Sequence, residues 1–128
     1  MNLLLDTNAI IWFAENDVSL TTTAKQLIES EQNIKFISIA SFWELAIKVS
    51  LDKLKLNISI EQLAIQFQNN GIILLPLSLA SIVKITTLLF IIYRSPFDKI
   101  IALERLSNNY TLISSDAIFD KYGVNRIW

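Results

Sequence analysis

The stretch LLLDTNAIIWF, residues 3–13, decides how this chain is interpreted. The apolar run predicts a short buried β-strand over residues 2–5, and that strand stops directly at the carboxylate of Asp6. Apolar residues resume after Asn8, which predicts a helix over residues 8–15. Asp6 is therefore either an N-cap of that helix or part of a site at the end of a strand.

The composition predicts one folded domain covering residues 1–128. A chain of this length buries roughly two-thirds of its unfolded surface, which is enough for a real core. Hydrophobic residues make up 52% of the sequence, and it contains only two glycines and two prolines. Extended disorder is therefore not expected.

Two absences limit the chemistry that this sequence can perform. The chain has no cysteine, which excludes disulfides and thiolate zinc sites, and it has no histidine. Without histidine, the commonest general base and a common transition-metal ligand are missing. Acid–base or metal chemistry must therefore use carboxylates, whose oxygen atoms favour Mg²⁺ or Mn²⁺.

Charge and hydropathy favour a cytoplasmic protein with no membrane segment. The net charge is −1, so no global basic field attracts nucleic acid. The first residues lack the basic region of a signal peptide. The most lipid-like stretch, LLFIIY at 88–93, is far too short to span a bilayer.

Short β-branched or apolar strands alternate with helical patterns along the chain. Strands are predicted at residues 2–5, 34–38, 72–75, 111–114 and 124–127. Helices are predicted at residues 8–15, 20–32, 41–51, 59–69, 78–91 and from 95 onward, with a helical turn at 117–121. This alternation predicts an α/β fold, a three-layer α/β/α sandwich around a mainly parallel sheet of four to five strands.

Four acidic residues map to the carboxyl edge of this predicted sheet, where ligands bind in such folds. Asp6 ends the first strand, and Asp116 follows the fourth. Glu44 is expected in the first turn of the helix after the second strand. Asp98 is expected in the first turn of the helix that begins at Pro96.

Each of these acids also has a purely structural interpretation. Ser41 and Glu44 have the spacing of a capping box, and Ser95 and Asp98 resemble one. The other two acids have the positions of N-caps. Several carboxylates converging in one cleft would nevertheless repel each other and raise their pKa values, which a divalent cation would offset.

The sequence resembles the PIN-domain ribonucleases, in particular the VapC-like toxins of bacterial type II toxin–antitoxin systems. Four segments carry the resemblance, in the right order and over nearly the whole chain. They are LLLDTNAIIWF at 3–13, SIASFWELAIKVSLDKLKL at 38–56, SPFDKIIALERL at 95–106 and TLISSDAIFDKYGVNRIW at 111–128. The resemblance implies a PIN-like fold and metal-dependent cleavage of RNA.

The resemblance also implies residue roles. The acidic quartet of the family corresponds to Asp6, Glu44, Asp98 and Asp116, which would bind Mg²⁺ or Mn²⁺. Within it, Asp6 and Asp98 would hold the principal ion. Ser114 matches a position where the family usually has a hydroxyl near the metal. Asn8 belongs to the D-T-N form of the first motif and would orient Asp6 or contact a phosphate.

The sequence departs from the related subgroup just before Asp98. Where that subgroup usually reads H-H-R-D-P-F-D-R, this chain has Ile92, Tyr93 and Ser95 in place of the two histidines and the first acid. The first motif reads D-T-N instead of D-T-H. These differences bear on substrate choice and turnover more than on metal binding.

RNA contacts are expected to be local because the net charge is slightly negative. Lysines and an arginine flank the acids in sequence, at Lys48, Lys53, Lys55, Arg94 and Lys99. Arg94 and Lys99 bracket Asp98 and are the preferred candidates for phosphate contacts. A solvated surface is the plain alternative for each basic residue. Trp43 is expected to pack in the core rather than to stack on bases.

Partners follow from the apolar surplus and from the resemblance. The mean hydropathy is +0.44, which is high for a small soluble domain. Buried helices are the first explanation, and a homodimer face or an antitoxin-binding groove is the second. The resemblance implies both a dimer and a co-encoded antitoxin protein.

Three other classes of α/β protein fit the acids and glycines of this chain less well than a nuclease does. A dehalogenase-type phosphatase needs a second acid two residues after Asp6, where this chain has Asn8. A receiver domain needs an acid after the strand at 72–75, and two glycines are too few for a phosphate-binding loop. The remaining alternative is a catalytically degenerate PIN domain that only binds RNA or protein.

Overall fold

The computed structural model describes residues 1–87 and 96–128. Its strands are β1 (Asn2–Leu5), β2 (Ile34–Ser38), β3 (Ile73–Leu75), β4 (Thr111–Ile113) and β5 (Arg126–Ile127). Its helices are α1 (Thr7–Ala14), α2 (Thr22–Glu29), α3 (Ile39–Ser50), α4 (Ile60–Asn69), α5 (Leu79–Lys84) and α6 (Pro96–Asn108). Two 3₁₀ turns cover Ile85–Thr87 and Ala117–Tyr122.

The five strands form one sheet with the order β3-β2-β1-β4-β5, and every pairing is parallel. This confirms the predicted α/β fold and the fifth strand. The first strand is central: Leu5 lies opposite Ile37 on one side and Ile113 on the other. The residues that follow β1, β2 and β4 therefore emerge at the same edge of the sheet.

Helices cover both faces of the sheet, as expected for parallel strands that are buried on both sides. Leu3 and Leu5 point to one face and pack with α1, α2, α3 and α4. Leu4 points to the opposite face and packs with α6 and the second 3₁₀ turn. The alternation of side chains along β1 thus joins two cores through three leucines that are fully buried.

Several element boundaries differ from the prediction. The helix predicted over 78–91 is α5 followed by a 3₁₀ turn, and residues 88–91 of that prediction lie outside the described residues. The helix predicted over 20–32 is shorter because Thr21 caps its start and Ser30 is already extended. No helix in the described ranges is long and apolar enough to cross a membrane.

Candidate active site at the carboxyl edge of the sheet

Asp6 follows β1 and is the N-cap of α1, as one of the two interpretations of the sequence predicts. Its Oδ1 atom accepts a hydrogen bond from the Ala9 backbone N–H at 2.8 Å. Its Oδ2 atom accepts a short hydrogen bond from the Ser114 hydroxyl. A capping carboxylate that uses both oxygen atoms in this way is held in one orientation.

Burial dominates the protonation of Asp6. The residue is 6% exposed, and this burial raises its pKa to about 6. The hydrogen bonds from Ser114 and Ala9 lower the pKa in part, while the charges of Asp116 and Glu44 raise it. The charges of two other members of the predicted quartet therefore act on the pKa of Asp6.

Asp98 lies in the first turn of α6, as predicted, and α6 begins at Pro96. Its carboxyl group is partly buried, and this burial raises its pKa to about 7. Glu44, Asp116 and Asp6 raise that pKa further in that order, whereas the charge of Lys48 lowers it. The mutual repulsion expected of converging carboxylates is therefore present.

Glu44 occupies a different position on its helix from the one predicted. The helix α3 begins at Ile39, with Ser38 as its N-cap, so Glu44 lies in the second turn and the capping box with Ser41 does not form. Ser41 is instead buried inside the helix. The Glu44 side chain is 14% exposed, and its Oε2 atom lies 3.9 Å from the Lys48 Nζ atom.

Asp116 is the N-cap of the 3₁₀ turn that follows β4. Its Oδ1 atom accepts a hydrogen bond from the Ile118 backbone N–H at 3.0 Å. Its own backbone N–H donates to the Ser114 hydroxyl oxygen at 3.1 Å. Ser114 therefore joins Asp6 and Asp116, because it donates to the first and accepts from the second.

One polar cavity of about 140 Å³ brings the four acids together. Its lining consists of Asp6, Thr7, Asn8, Glu44, Lys48, Asp98 and Asp116. Larger cavities lie elsewhere and carry fewer acids, including one of about 510 Å³ between the end of α3 and the start of α4. Chemistry, and not size, distinguishes the smaller cavity.

The donor set of this cavity fits a hard divalent cation. Carboxylate and hydroxyl oxygens are the ligands that Mg²⁺ and Mn²⁺ prefer. Thr7 lines the cavity, and its buried Oγ1 atom has no hydrogen-bond partner among the described residues. Within residues 1–87 and 96–128, no three acidic side chains are already gathered into a coordination shell.

The predicted substrate-contacting residues differ in where they lie. Asn8 lines the cavity. Ser114 is not in the cavity lining and contacts Asp6 through its hydroxyl group. Lys99 is only 7% exposed and is not part of the cavity lining. Arg94 lies outside the described residues, as do the departures at 92, 93 and 95. Among the described residues, Lys48 is the basic residue that lines the cavity.

The expectation that Trp43 packs in the core is wrong. Its side chain is 57% exposed and touches Phe97 edge-on, with ring centroids 5.2 Å apart. Phe42 and Leu45 lie on the buried face of α3, whereas Trp43 lies outside that face and points outward. Trp12 packs against the ring of Trp128 at 5.4 Å.

Two buried polar residues near the site were not singled out from the sequence. Ser38 ends β2 and caps α3, and its hydroxyl donates to the Glu104 Oε1 atom on α6 at 3.2 Å. The signal for Glu104 was its helical spacing from Ile100 and Ile101, which places an acid on the buried face of α6.

An acid-lined cavity at the carboxyl edge of a parallel sheet is the form of site expected of a metal-dependent hydrolase. The family model for the PIN domain matches residues 3–125 of the chain. The chain belongs to the PIN-domain family. PIN domains are generally nucleases, and PIN nucleases generally use divalent metal ions.

Solved structures of similar fold agree over nearly the full length. The VapBC-1 structure from nontypeable Haemophilus influenzae matches with a TM-score of 0.67 and 20% identity, covering 99% of this chain and 97% of that one. VapBC2 from Rickettsia felis, bound to a DNA fragment from its promoter, matches with a TM-score of 0.67 and 18% identity, covering 99% and 98%. FitAB bound to a DNA fragment matches with a TM-score of 0.65 and 18% identity, covering 98% and 93%. No curated protein sequence matches significantly.

Proposed function

We propose that this chain is a metal-dependent endoribonuclease in which Asp6, Glu44, Asp98 and Asp116 form the catalytic and metal-binding site. The observation that carries the proposal is the convergence of four carboxylates, from four separate segments, on one small polar cavity. Membership of a family whose members are generally nucleases supports the same reaction class.

Mg²⁺ or Mn²⁺, when bound, would activate a water molecule and neutralise charge on the scissile phosphodiester. Asp6 and Asp98 would hold the principal ion, and Glu44 and Asp116 would complete the site directly or through water. Ser114 is the residue that prepares Asp6 for binding this ion. Ser114 orients the Asp6 carboxylate and favours its ionised form, which is the form that binds a cation.

Substrate contacts are proposed at the rim of the same cavity. Asn8 and Lys48 line it and present an amide and an ammonium group to a phosphate. Arg94 and Lys99 stay as predictions from their positions beside Asp98, although the burial of Lys99 makes it the weaker candidate. Ser114 would act through Asp6 and not by touching RNA.

The test is cleavage of end-labelled total RNA by the purified protein with Mg²⁺, Mn²⁺ or EDTA. Discrete cuts that require the metal are expected, and they should disappear in Asp6→Asn and Asp98→Asn, which also control for contaminating nuclease. Unchanged metal-dependent cutting by both variants would refute the assignment. A wild-type protein that neither cuts RNA nor gains thermal stability from Mn²⁺ would instead be the degenerate binding module.

We further propose that the protein is the toxin of a type II toxin–antitoxin pair and works in the cytoplasm as a single domain spanning residues 1–128. Support comes from the likeness of its fold to VapBC and FitAB structures over nearly the whole chain. Induced expression in a bacterial host should arrest growth, whereas Asp98→Asn should not. Equal growth of both strains would count against a toxin.

A homodimer and an antitoxin-binding surface are proposed on the exposed apolar side chains of α3 and α5. These helices both pack against α6, and they expose Ile39, Trp43, Ile47, Leu79, Ile82 and Val83. Exposed apolar side chains concentrated on neighbouring helices favour an interface.

A further inference from the structure

Glu104 is a buried acid outside the cavity that the proposed chemistry does not use. It lies on α6 and is 4% exposed. Its Oε2 atom has no hydrogen-bond partner in the described part of the chain, and its Oε1 atom accepts from Ser38. Burial raises its pKa to about 7, and the hydrogen bond from Ser38 lowers it in part.

The partner of Glu104 occupies a junction in the fold. Ser38 is fully buried, ends β2 and caps α3. Its hydroxyl oxygen accepts from the Ala40 backbone N–H at 3.1 Å and its proton is donated to Glu104 Oε1 at 3.2 Å. One hydroxyl therefore connects the start of α3 to the middle of α6.

These two helices each carry one acid of the proposed site. Glu44 lies on α3 and Asp98 on α6, each about 9 Å along its helix axis from the Ser38–Glu104 bond. Apolar contacts among Ala40, Phe97 and Ile100 also join the helices. Apolar contacts are not directional, whereas a buried hydrogen bond fixes the register of one helix against the other.

We propose that Glu104 is a positioning residue, whose hydrogen bond with Ser38 sets the spacing between Glu44 and Asp98 across the cavity. The inference rests on the proposed function, because its consequence is the affinity of that site for a divalent cation. Glu104 does not touch the cavity, so its effect passes through the two helices.

Two substitutions separate positioning from a general effect on stability. Glu104→Gln keeps an acceptor oxygen for Ser38 and removes the charge, so it shows whether the acceptor alone is sufficient. Glu104→Met keeps a similar length and flexibility but removes the acceptor. Ile101→Val is the matched control, because it removes volume from the same buried face of α6 without touching this hydrogen bond.

The experiment is a calorimetric titration of the full chain with Mn²⁺ at pH 7.5, together with its melting temperature. Glu104→Met should weaken Mn²⁺ binding by about tenfold, as for other residues that orient metal ligands. Glu104→Gln should have the wild-type Kd. Ile101→Val should also have the wild-type Kd, although its melting temperature should be lower. Should Glu104→Met fail to fold, Ser38→Gly removes the same bond from the other side, and glycine still serves as an N-cap of α3.

The possible results separate a failure of the role proposed for Glu104 from a failure of the proposed function. If the wild type binds Mn²⁺ and Glu104→Met binds it with the same Kd, this inference is overturned and the proposed function stands. A Gln variant as weak as the Met variant would also overturn it, since an acceptor would then not suffice. A wild-type protein that binds no Mn²⁺ would overturn the proposed function itself.

Discussion

Ser114 and Asp6 are 108 residues apart in the sequence and are joined by a buried hydrogen bond at the carboxyl edge of the sheet. The bond is possible because β4 pairs with β1 in a register that places Ile113 opposite Leu5. It joins the residues that follow β1 and β4, and it holds the Asp6 carboxylate in one orientation. The fold thereby places a hydroxyl donor on the proposed metal ligand.

Replacing Ser114 should therefore weaken metal binding in a pH-dependent way. Ser114→Ala removes a donor that lowers the Asp6 pKa, so the pKa should rise further above about 6. Mn²⁺ affinity should fall more at pH 6 than at pH 8, because protons compete with the cation at the lower pH. Ser114→Thr keeps the hydroxyl as a control. Equal losses at both pH values would contradict this role.

Asp98→Asn should stabilise the metal-free protein at alkaline pH. Because the Asp98 pKa is raised to about 7, the folded state binds its proton more tightly than the unfolded state. This contribution is complete below about pH 4 and is lost as the pH rises through 7. The gain from the uncharged amide should be on the order of 1–2 kcal/mol at pH 8, after allowance for solvent screening.

Thermal unfolding in EDTA tests that prediction. The melting temperature of Asp98→Asn should exceed that of the wild type at pH 8, and the two should converge below about pH 4, where Asp98 is protonated in both the folded and the unfolded state. Asp17→Asn is the matched control, because hydrogen bonds from Ser19 lower the Asp17 pKa and this acid lies outside the cavity. A wild type that is more stable than Asp98→Asn at pH 8 would contradict the repulsion within the cavity.

Lys48→Met should reduce RNA affinity and shift the pH profile of cleavage upward. The ammonium group lines the cavity and lowers the Asp98 pKa, so its removal should raise that pKa further. Loss of one phosphate contact should also reduce the salt dependence of log K by about one unit of slope. Lys25→Met, at a lysine of α2 that pairs with Glu29 outside the cavity, should change neither property.

Trp43→Ser should weaken self-association more than it weakens the fold. The side chain is 57% exposed, and its contact with Phe97 is worth roughly 0.5–1.5 kcal/mol. Sedimentation at micromolar concentration should show a dimer for the wild type and a shift toward monomer for the variant. Val18→Ser is the control, because Val18 is 98% exposed and lies between α1 and α2, outside the two helices of the proposed interface. A monomeric wild type would contradict the dimer.

The sequence predicts the sheet well because the signals at the ends of its strands agree with one another. NLLL is apolar, stops at an acid and is followed by a helix start, so β1 has the predicted bounds. Strand β2 likewise matches residues 34–38. The convergence of Asp6 and Asp116 also follows from strand order, because parallel strands end at a shared edge.

The sequence predicts the start of α3 poorly because two serines compete as its cap. Ser41 has the spacing of a capping box with Glu44, yet Ser38 caps the helix while still ending β2. That shift moves Glu44 to the second turn of α3. Tertiary packing decides between the two caps: Ser38 also bonds Glu104, a contact between distant segments that local patterns do not encode.

The most direct test of the central claim is the manganese anomalous signal from crystals grown with Mn²⁺. The account predicts a peak inside the cavity lined by Asp6, Glu44, Asp98 and Asp116, and its loss in crystals of Asp98→Asn. A peak at a different place, or a cavity without one in a protein that still cleaves RNA with Mn²⁺, would contradict it.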